Sequence, residues 1–306
     1  MTADFNLPRL IEEFGSEEKC LAFLVALRWP EGVYCPRCQS KKVSRVIERK
    51  RFDCGECRYQ FSATSGTMFH DSHLPLWKWF LAIYILTESK KGMSANQLRR
   101  MLGVSYKTAW YLCHRIREAM ARANGAAPKL GGTVEVDDTW IGGKAQKGRP
   151  IPDKVNVVGM VERNGRLRLV VVDDLTADSL KGAARRHIGN NIDLIITDEW
   201  AAYVNAIGLK YKTRYKRIRH KETYVRHDII HGKIHTNTIE NAFSLLKRGL
   251  IGSWHHVSVK HLQRYLDEMS FRFSERENPA LFALTLENLL ETAPVTFKAL
   301  TEEKVA

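Results

Sequence analysis

No apolar run in this 306-residue chain reaches the roughly 18 residues that a membrane span needs. Met1–Leu7 lack the pattern of a signal peptide, so neither secretion nor membrane insertion is expected. A disulfide framework is missing too. Of the six cysteines, four form two CxxC pairs, while Cys20 and Cys113 stand alone in helical contexts. That usage points to a reduced cytosol and a metal site. No internal repeat is visible, which excludes a repeat array. Acidic residues are outnumbered 34 to 48 by Lys and Arg, for a net charge of +14 and a pI near 9.5. A balance so basic favours polyanionic partners, nucleic acid first. A hydrophobic content of 44% describes a folded chain, long enough for two or three domains.

What is present falls into segments. Residues 8–27 read as one or two short helices with Ser16-Glu17-Glu18 as a cap between them. KKVSRVIERKRFDC alternates like a hairpin lying between the cysteine pairs. LPLWKWFLAIYILTE (74–88) is apolar enough for a buried helix. Residues 94–117 read as a capped helix, a turn at Gly103 and a second helix from near Ser105. NGAAPKLGGT (124–133) reads as a small-residue linker. Beyond it the predicted order is β-β-β-α-β-α-(β)-α, with a hairpin turn at Asn164-Gly165 and a last packing helix in VKHLQRYLDEMSFRF. The expected domains are 1–70 (helices and a metal ribbon), 71–127 (helical), 128–276 (α/β) and a C-terminal tail in 277–306, weakly ordered from Thr296 on.

Cys35-x2-Cys38, fifteen residues, then Cys54-x2-Cys57 has the spacing of a four-cysteine zinc site. In so small a ribbon the Zn²⁺ supplies structural stability. A second constellation lies in HTNTIENAFSLLKRGL (235–250). Ile239, Phe243, Leu246 and Leu250 follow helical spacing and would anchor the helix, leaving Glu240 and Lys247 on one face. Asp137 closes the first strand of the α/β region and Asp198 the fourth. If those strands are neighbours, both aspartates meet the helix-borne glutamate. Asp137 and Asp138 point to opposite sides of a strand, so alternation alone does not choose between them. Converging carboxylates repel unless cations neutralise them, and oxygen ligands suit Mg²⁺ or Mn²⁺. Two such ions can activate a nucleophile on a phosphodiester. Asp173-Asp174 reads as a turn, with Asp174 or Thr176 near a helix cap.

VEVDDTWIGGK, IITDEWAAY and HTNTIENAFSLLKRGLIGSWHHVS resemble the motifs of bacterial insertion-sequence transposases. The similarity runs from about Phe14 to Arg276. It is to the DDE group, in the branch with an N-terminal zinc ribbon and a ribonuclease-H-like catalytic domain, a mixed sheet flanked by helices. The resemblance implies metal-dependent cleavage and transfer of DNA strands at the element's terminal inverted repeats. Asp137, Asp198 and Glu240 would be the magnesium or manganese ligands, and Lys247 a phosphate contact. It also implies DNA partners (transposon ends and target), at least a dimer in the DNA complex, and a cytoplasmic, nucleoid-associated location in a bacterium.

Residues 94–117 have the pattern of a helix-turn-helix, with Ser105, Tyr106 and Lys107 near the start of a recognition helix and Arg99, Arg100, Arg115 and Arg117 for phosphates. KTRYKRIRHK (212–221), including Lys216 and Arg217, is a candidate for backbone binding. His227, His231 and His235 are spaced four apart, and His255-His256 follow Trp254, a candidate for stacking on a base. Two other readings remain: a nuclease with the same site and no strand transfer, and a DNA-binding regulator that has lost catalysis.

Overall fold

The computed structural model describes residues 5–142, 154–219, 222, 224–230, 232–255 and 257–302. They form two compact units, one built from residues up to Ala123 together with those from Glu277, the other from Asn124–Arg276.

In the first unit, helices α1 (Leu7–Phe14) and α2 (Glu17–Arg28) are each started by a side chain that accepts from a backbone N–H of the first turn, Asn6 from Arg9 and Ser16 from Lys19. A three-stranded antiparallel ribbon follows, β1 (Val43–Val46), β2 (Arg51–Cys54) and β3 (Gln60–Phe61). Next comes α3 (Leu76–Glu88), which buries Trp79, Phe80, Ile83 and Leu86. Helices α4 (Ala95–Leu102) and α5 (Tyr106–Ala126) are joined at Gly103, whose φ of 62° is the left-handed conformation that stops a helix at least cost in glycine. Ser94 caps α4 through the N–H of Gln97, and Ser105 accepts from the N–H of Thr108 at 3.1 Å. Two helices joined by a tight glycine turn thus stand where the helix-turn-helix was expected.

The second unit holds a five-stranded sheet in the order β6-β5-β4-β7-β8. Its strands are β4 (Leu130–Ile141), β5 (Val155–Glu162), β6 (Leu167–Val172), β7 (Ile188–Thr197) and β8 (Tyr215–Arg217), with α6 (Ala177–His187) between β6 and β7. The first three strands are antiparallel, whereas β4–β7 and β7–β8 pair in parallel. This is a ribonuclease-H-like sheet. Thr176 caps α6 and Asp174 accepts from both the N–H and the hydroxyl of Thr176, as the turn reading expects. After β7 come two short helices, α7 (Ala201–Tyr203) and α8 (Leu209–Tyr211), joined by a π turn at Val204–Gly208. A separate hairpin of β9 (Arg226–Asp228) and β10 (Gly232–Ile234) leads into α9 (Asn237–Gly249), and α10 (Val259–Ser274) completes the unit.

Alternation along the strands sorts the core into two layers. Val134, Val136, Val158 and Met160 face α6, Tyr203 and Ile207. Val157, Val161 and Leu169 face Ile239, Phe243 and Leu246 of α9 and Leu262 and Leu266 of α10. Glu135 and Asp137 alternate with the first set and so lie on the α9 side.

Two expectations fail here. The small-residue stretch at 124–133 is not a linker: α5 runs to Ala126 and β4 begins at Leu130. Its parallel partner β7 supplies the ladder, with register irregularities at Leu130 and Gly132 absorbing the glycines. Nor is the described stretch from Thr296 to Glu302 loose; residues 303–306 lie outside the described residues. Helices α11 (Leu281–Glu291) and α12 (Phe297–Thr301) pack in the first unit. Phe282 meets Phe5, Phe14 and Phe80, Phe297 meets Trp110 and Tyr111, and Leu300 is buried.

Candidate active site

The parallel ladder between β4 and β7 ends with Glu135 opposite Ile196. Two residues further along each strand stand Asp137 and Asp198, so the sheet brings both aspartates to the same end of neighbouring strands. Asp137 is not at a strand end, as the short motif suggested. β4 continues to Ile141 because β5 keeps pairing with it, and Asp137 lies opposite Gly159. Asp198 is the first residue after β7, and its Oδ1 accepts from the N–H of Trp200 at 3.0 Å.

Helix α9 crosses this end of the sheet and presents Glu240. Thr236 donates its hydroxyl to Glu240 Oε1 at 2.9 Å. Glycine at position 159 permits the close crossing. A Cβ built there would lie 2.6 Å from Ile239 Cδ1 and 2.7 Å from Phe243 Cζ, inside any real contact. Asp137, Glu240, Ser244, Lys247, Phe243 and Ile251 line an open pocket of about 440 Å³.

The electrostatics agree with this grouping. Burial pushes the Asp137 carboxyl up to about 7, and the charges of Asp138, Asp198 and Glu240 push the same way, against the N–H that Asp138 donates to it. Asp138 also lines that pocket, and it accepts from the hydroxyl of the buried Tyr203 at 2.7 Å, which helps keep that phenol protonated. Among the described residues, the cysteine quartet is the one group of three or more metal-type ligands whose atoms all lie within 4.8 Å. The acidic residues are spaced more widely.

That quartet is Cys35, Cys38, Cys54 and Cys57. Its Sγ–Sγ separations include 3.6 Å for Cys35–Cys57 and 3.5 Å for Cys38–Cys54. Zn–S bonds of ~2.3 Å imply tetrahedral edges of about 3.8 Å, so the sulfurs fit the ion. The N–H of Cys57 bonds the Cys54 sulfur and helps pull its thiol down to about 7, toward the thiolate that a metal takes.

Residues 129–274 match the ISXO2-like transposase domain, and residues 15–60 match the transposase zinc-ribbon domain. The chain is thus similar to this transposase family over both stretches. A relative is the uncharacterized protein in transposable element ISH50 of Halobacterium salinarum. It is 29% identical over 308 aligned residues, which cover 92% of this chain and 99% of that one. Among solved structures, the Mos1 strand transfer complex aligns with 69% of this chain and 75% of its own, at 12% identity and a TM-score of 0.31. The Mos1 paired-end complex with the left transposon end aligns with 69% and 78%, at 10% identity and a TM-score of 0.28.

Elsewhere in the chain the sequence-based candidates divide. Tyr106 and Lys107 are exposed at the start of α5, the lysine ammonium 4.5 Å from the Phe297 ring, while the Ser105 hydroxyl is engaged in capping. Arg115 is not a phosphate contact. It is 3% exposed, donates to the carbonyl of His70 at 2.9 Å and stacks between Trp79 and Tyr111. Arg117 is buried as well. Both lie on inward faces of a 21-residue helix that is covered on most sides. Lys216 is half-buried and paired with Asp228 at 3.1 Å. Arg217, with Arg219 and Arg226, lines a pocket of about 480 Å³ beside β8. Trp254 is not a stacking platform, being buried against Tyr265 in the α9–α10 core.

The histidine spacing does not define a helical face, because His227 lies in β9, opposite Lys233, and His235 follows β10. His220, Lys221, His231 and His256 lie outside the described residues. Two residues escaped attention at the sequence level, Gly159 and Arg163. Only a glycine interrupting a buried strand pattern hinted at the first.

Proposed function

We propose that this transposase binds the terminal inverted repeats of its own element and catalyses divalent-metal-dependent DNA cleavage and strand transfer. The observation that carries the reading is the meeting of Asp137, Asp198 and Glu240 at one end of the sheet, with the Asp137 carboxyl lifted to about 7 by burial and by its acidic neighbours. A half-buried, oxygen-only acidic group fits Mg²⁺ or Mn²⁺, and these three residues would hold it. Once bound, the metal supplies activation of a water or a 3′-hydroxyl and stabilisation of the leaving oxygen.

The chain's own groups do the rest. Lys247, exposed on the same helix face as Glu240, supplies a fixed positive charge for a phosphate at the pocket mouth. Phe243 and Ile251 give that pocket apolar walls. Arg217, Arg219 and Arg226 offer charge for a DNA backbone to follow. The exposed start of α5, with Tyr106 and Lys107, is the candidate reader of the terminal repeats. The zinc ribbon has a structural role. Two DNA ends have to be joined, so the acting species is at least a dimer. No described helix is long and apolar enough to cross a membrane, and a cytoplasmic, nucleoid-associated location follows from a DNA substrate.

The test is a supercoiled plasmid carrying the element's ends, incubated with the purified transposase and Mg²⁺ or Mn²⁺. Cleaved ends and joined products are expected, and both should vanish with Asp198→Ala or Glu240→Ala. Nicking with no joined product under either metal would leave a nuclease. Binding with no cleavage at all would leave a regulator.

A further inference from the structure

Two residues before Asp137 on the same strand face is Glu135, a carboxylate with no solvent exposure. A buried charge survives only if donors surround it, and here they converge from two segments of the chain. Arg163, at the end of the β5–β6 hairpin, donates Nε at 2.7 Å. The N–H of Thr238 donates at 2.8 Å, its hydroxyl at 2.9 Å, and the N–H of Ile239 at 3.1 Å. The His235 ring stands 3.2 Å away. Burial, with Arg163 next to it, holds that imidazole below its ordinary pKa, so Arg163 is the cation of the group. The guanidinium reaches further and donates to the carbonyls of Lys233 at 2.8 Å and His235 at 3.1 Å. The chain entering α9 is thus held by Arg163, and the first turn of α9 is capped by a carboxylate from another element.

We propose that Glu135 is a positioning residue for catalysis. It fixes the start of α9 to β4, and through α9 it sets where Glu240 stands relative to Asp137. The inference rests on the metal-site reading above. Its logic is geometric. Glu240 follows Thr238 and Ile239 by two residues and one, so any shift of the two amides that Glu135 holds is passed to Glu240 with little room to relax. Glu135 and Asp137 sit on one strand, so the clasp registers the helix against the very element that carries the first aspartate. A helix capped by its own preceding residue would have no such reference. Here the residue before α9, Thr236, spends its hydroxyl on Glu240 instead of on the helix amides.

The experiment measures Mn²⁺ affinity by electron paramagnetic resonance on the full chain, beside affinity for element ends and the single-turnover cleavage rate at saturating DNA. The variants are Glu135→Gln, Arg163→Met and Thr238→Val; the last keeps shape and removes one donor, so it reports if the first two fail to fold. Expected are a roughly 10-fold weaker Mn²⁺ affinity and a cleavage rate lower by about 10- to 100-fold, with end binding unchanged. In a Glu240→Gln background, Glu135→Gln should weaken Mn²⁺ no further, because the two act through one ligand. Folded variants with parental Mn²⁺ affinity and cleavage would overturn the proposal and leave Glu135 a stabilising cap. Mn²⁺ affinities that fall as expected in a protein that cleaves no DNA would uphold the positioning role and sink only the catalytic reading. A parent chain that binds no Mn²⁺ would overturn both.

Discussion

Replacing Gly159 by alanine adds one methyl group to the protein at the rung opposite Asp137. That methyl would sit 2.6 Å from Ile239 Cδ1 and 2.7 Å from Phe243 Cζ, about 0.8 Å short of ordinary van der Waals contact. Both partners are buried side chains, at 0% and 5% exposure, so neither has an empty direction to swing into. The strain is relieved by lifting α9 from the sheet, and overpacking of this kind costs about 1–3 kcal/mol. Glu240 is the next residue after Ile239, so the lift moves it away from Asp137. A displacement approaching 1 Å at a catalytic group lowers the rate by roughly 100-fold. The assay is single-turnover cleavage of end-bearing duplexes at saturating protein, beside a thermal melt of the same variant. Ile239→Val with Phe243→Leu removes the atoms that the new methyl would strike, so Gly159→Ala in that background should recover much of the lost rate. If Gly159→Ala cleaves within about two-fold of the parent, close helix approach is not what places Glu240, and the reasoning is wrong.

The Asp137 carboxyl, raised to about 7, favours the protonated form in the folded chain. Its contribution to stability is whole below about pH 4 and is lost as pH rises through 7, costing at most ~4 kcal/mol above it without metal. Metal-free Asp137→Asn should therefore melt above the parent at pH 8 and with it near pH 4, and should lose the parent's stabilisation by Mg²⁺; equal melting at pH 8 would refute the raised pKa. Lys247→Gln should weaken end binding about equally for all sequences and lower the salt slope by about one unit, whereas Lys247→Arg should retain both. Cys54→Ser should release bound zinc, measured by a colorimetric chelator, and expose the ribbon to limited proteolysis while α9 stays protected. Retention of one zinc per chain would argue against the quartet as its ligands.

Much of the site could be read from residue pattern because its logic is local. A buried run ending in Asp198 and an amphipathic helix bearing Glu240 declare themselves by periodicity, and caps such as Ser94, Ser16 and Thr176 follow from side-chain chemistry next to a helix start. What escaped reading depends on partners distant in sequence. Arg115 has the helical spacing of a surface cation, but its face of α5 meets Trp79 and the His70 carbonyl. Gly131 and Gly132 resemble a linker until β7 pairs with them. Glu135 reads as one more strand residue until Arg163 and the first turn of α9, 28 and about 103 positions away, close on it.

Helices α11 and α12 belong to the unit that α1–α5 begin, so the ribonuclease-H-like unit is an insertion in the chain of the other. The amide of Met68 donates to the carbonyl of Leu289, and Phe5 stacks on Phe282. Synthesis therefore runs through the whole ribonuclease-H-like unit before the other unit receives its last pieces. On the ribosome the nuclease-like half can fold first, and the half proposed to read the element's ends is finished last. A message cut short between Arg276 and Leu281 would leave a polypeptide that carries Asp137, Asp198 and Glu240 but lacks α11 and α12, so the ribonuclease-H-like unit would be made whole beside an unfinished companion.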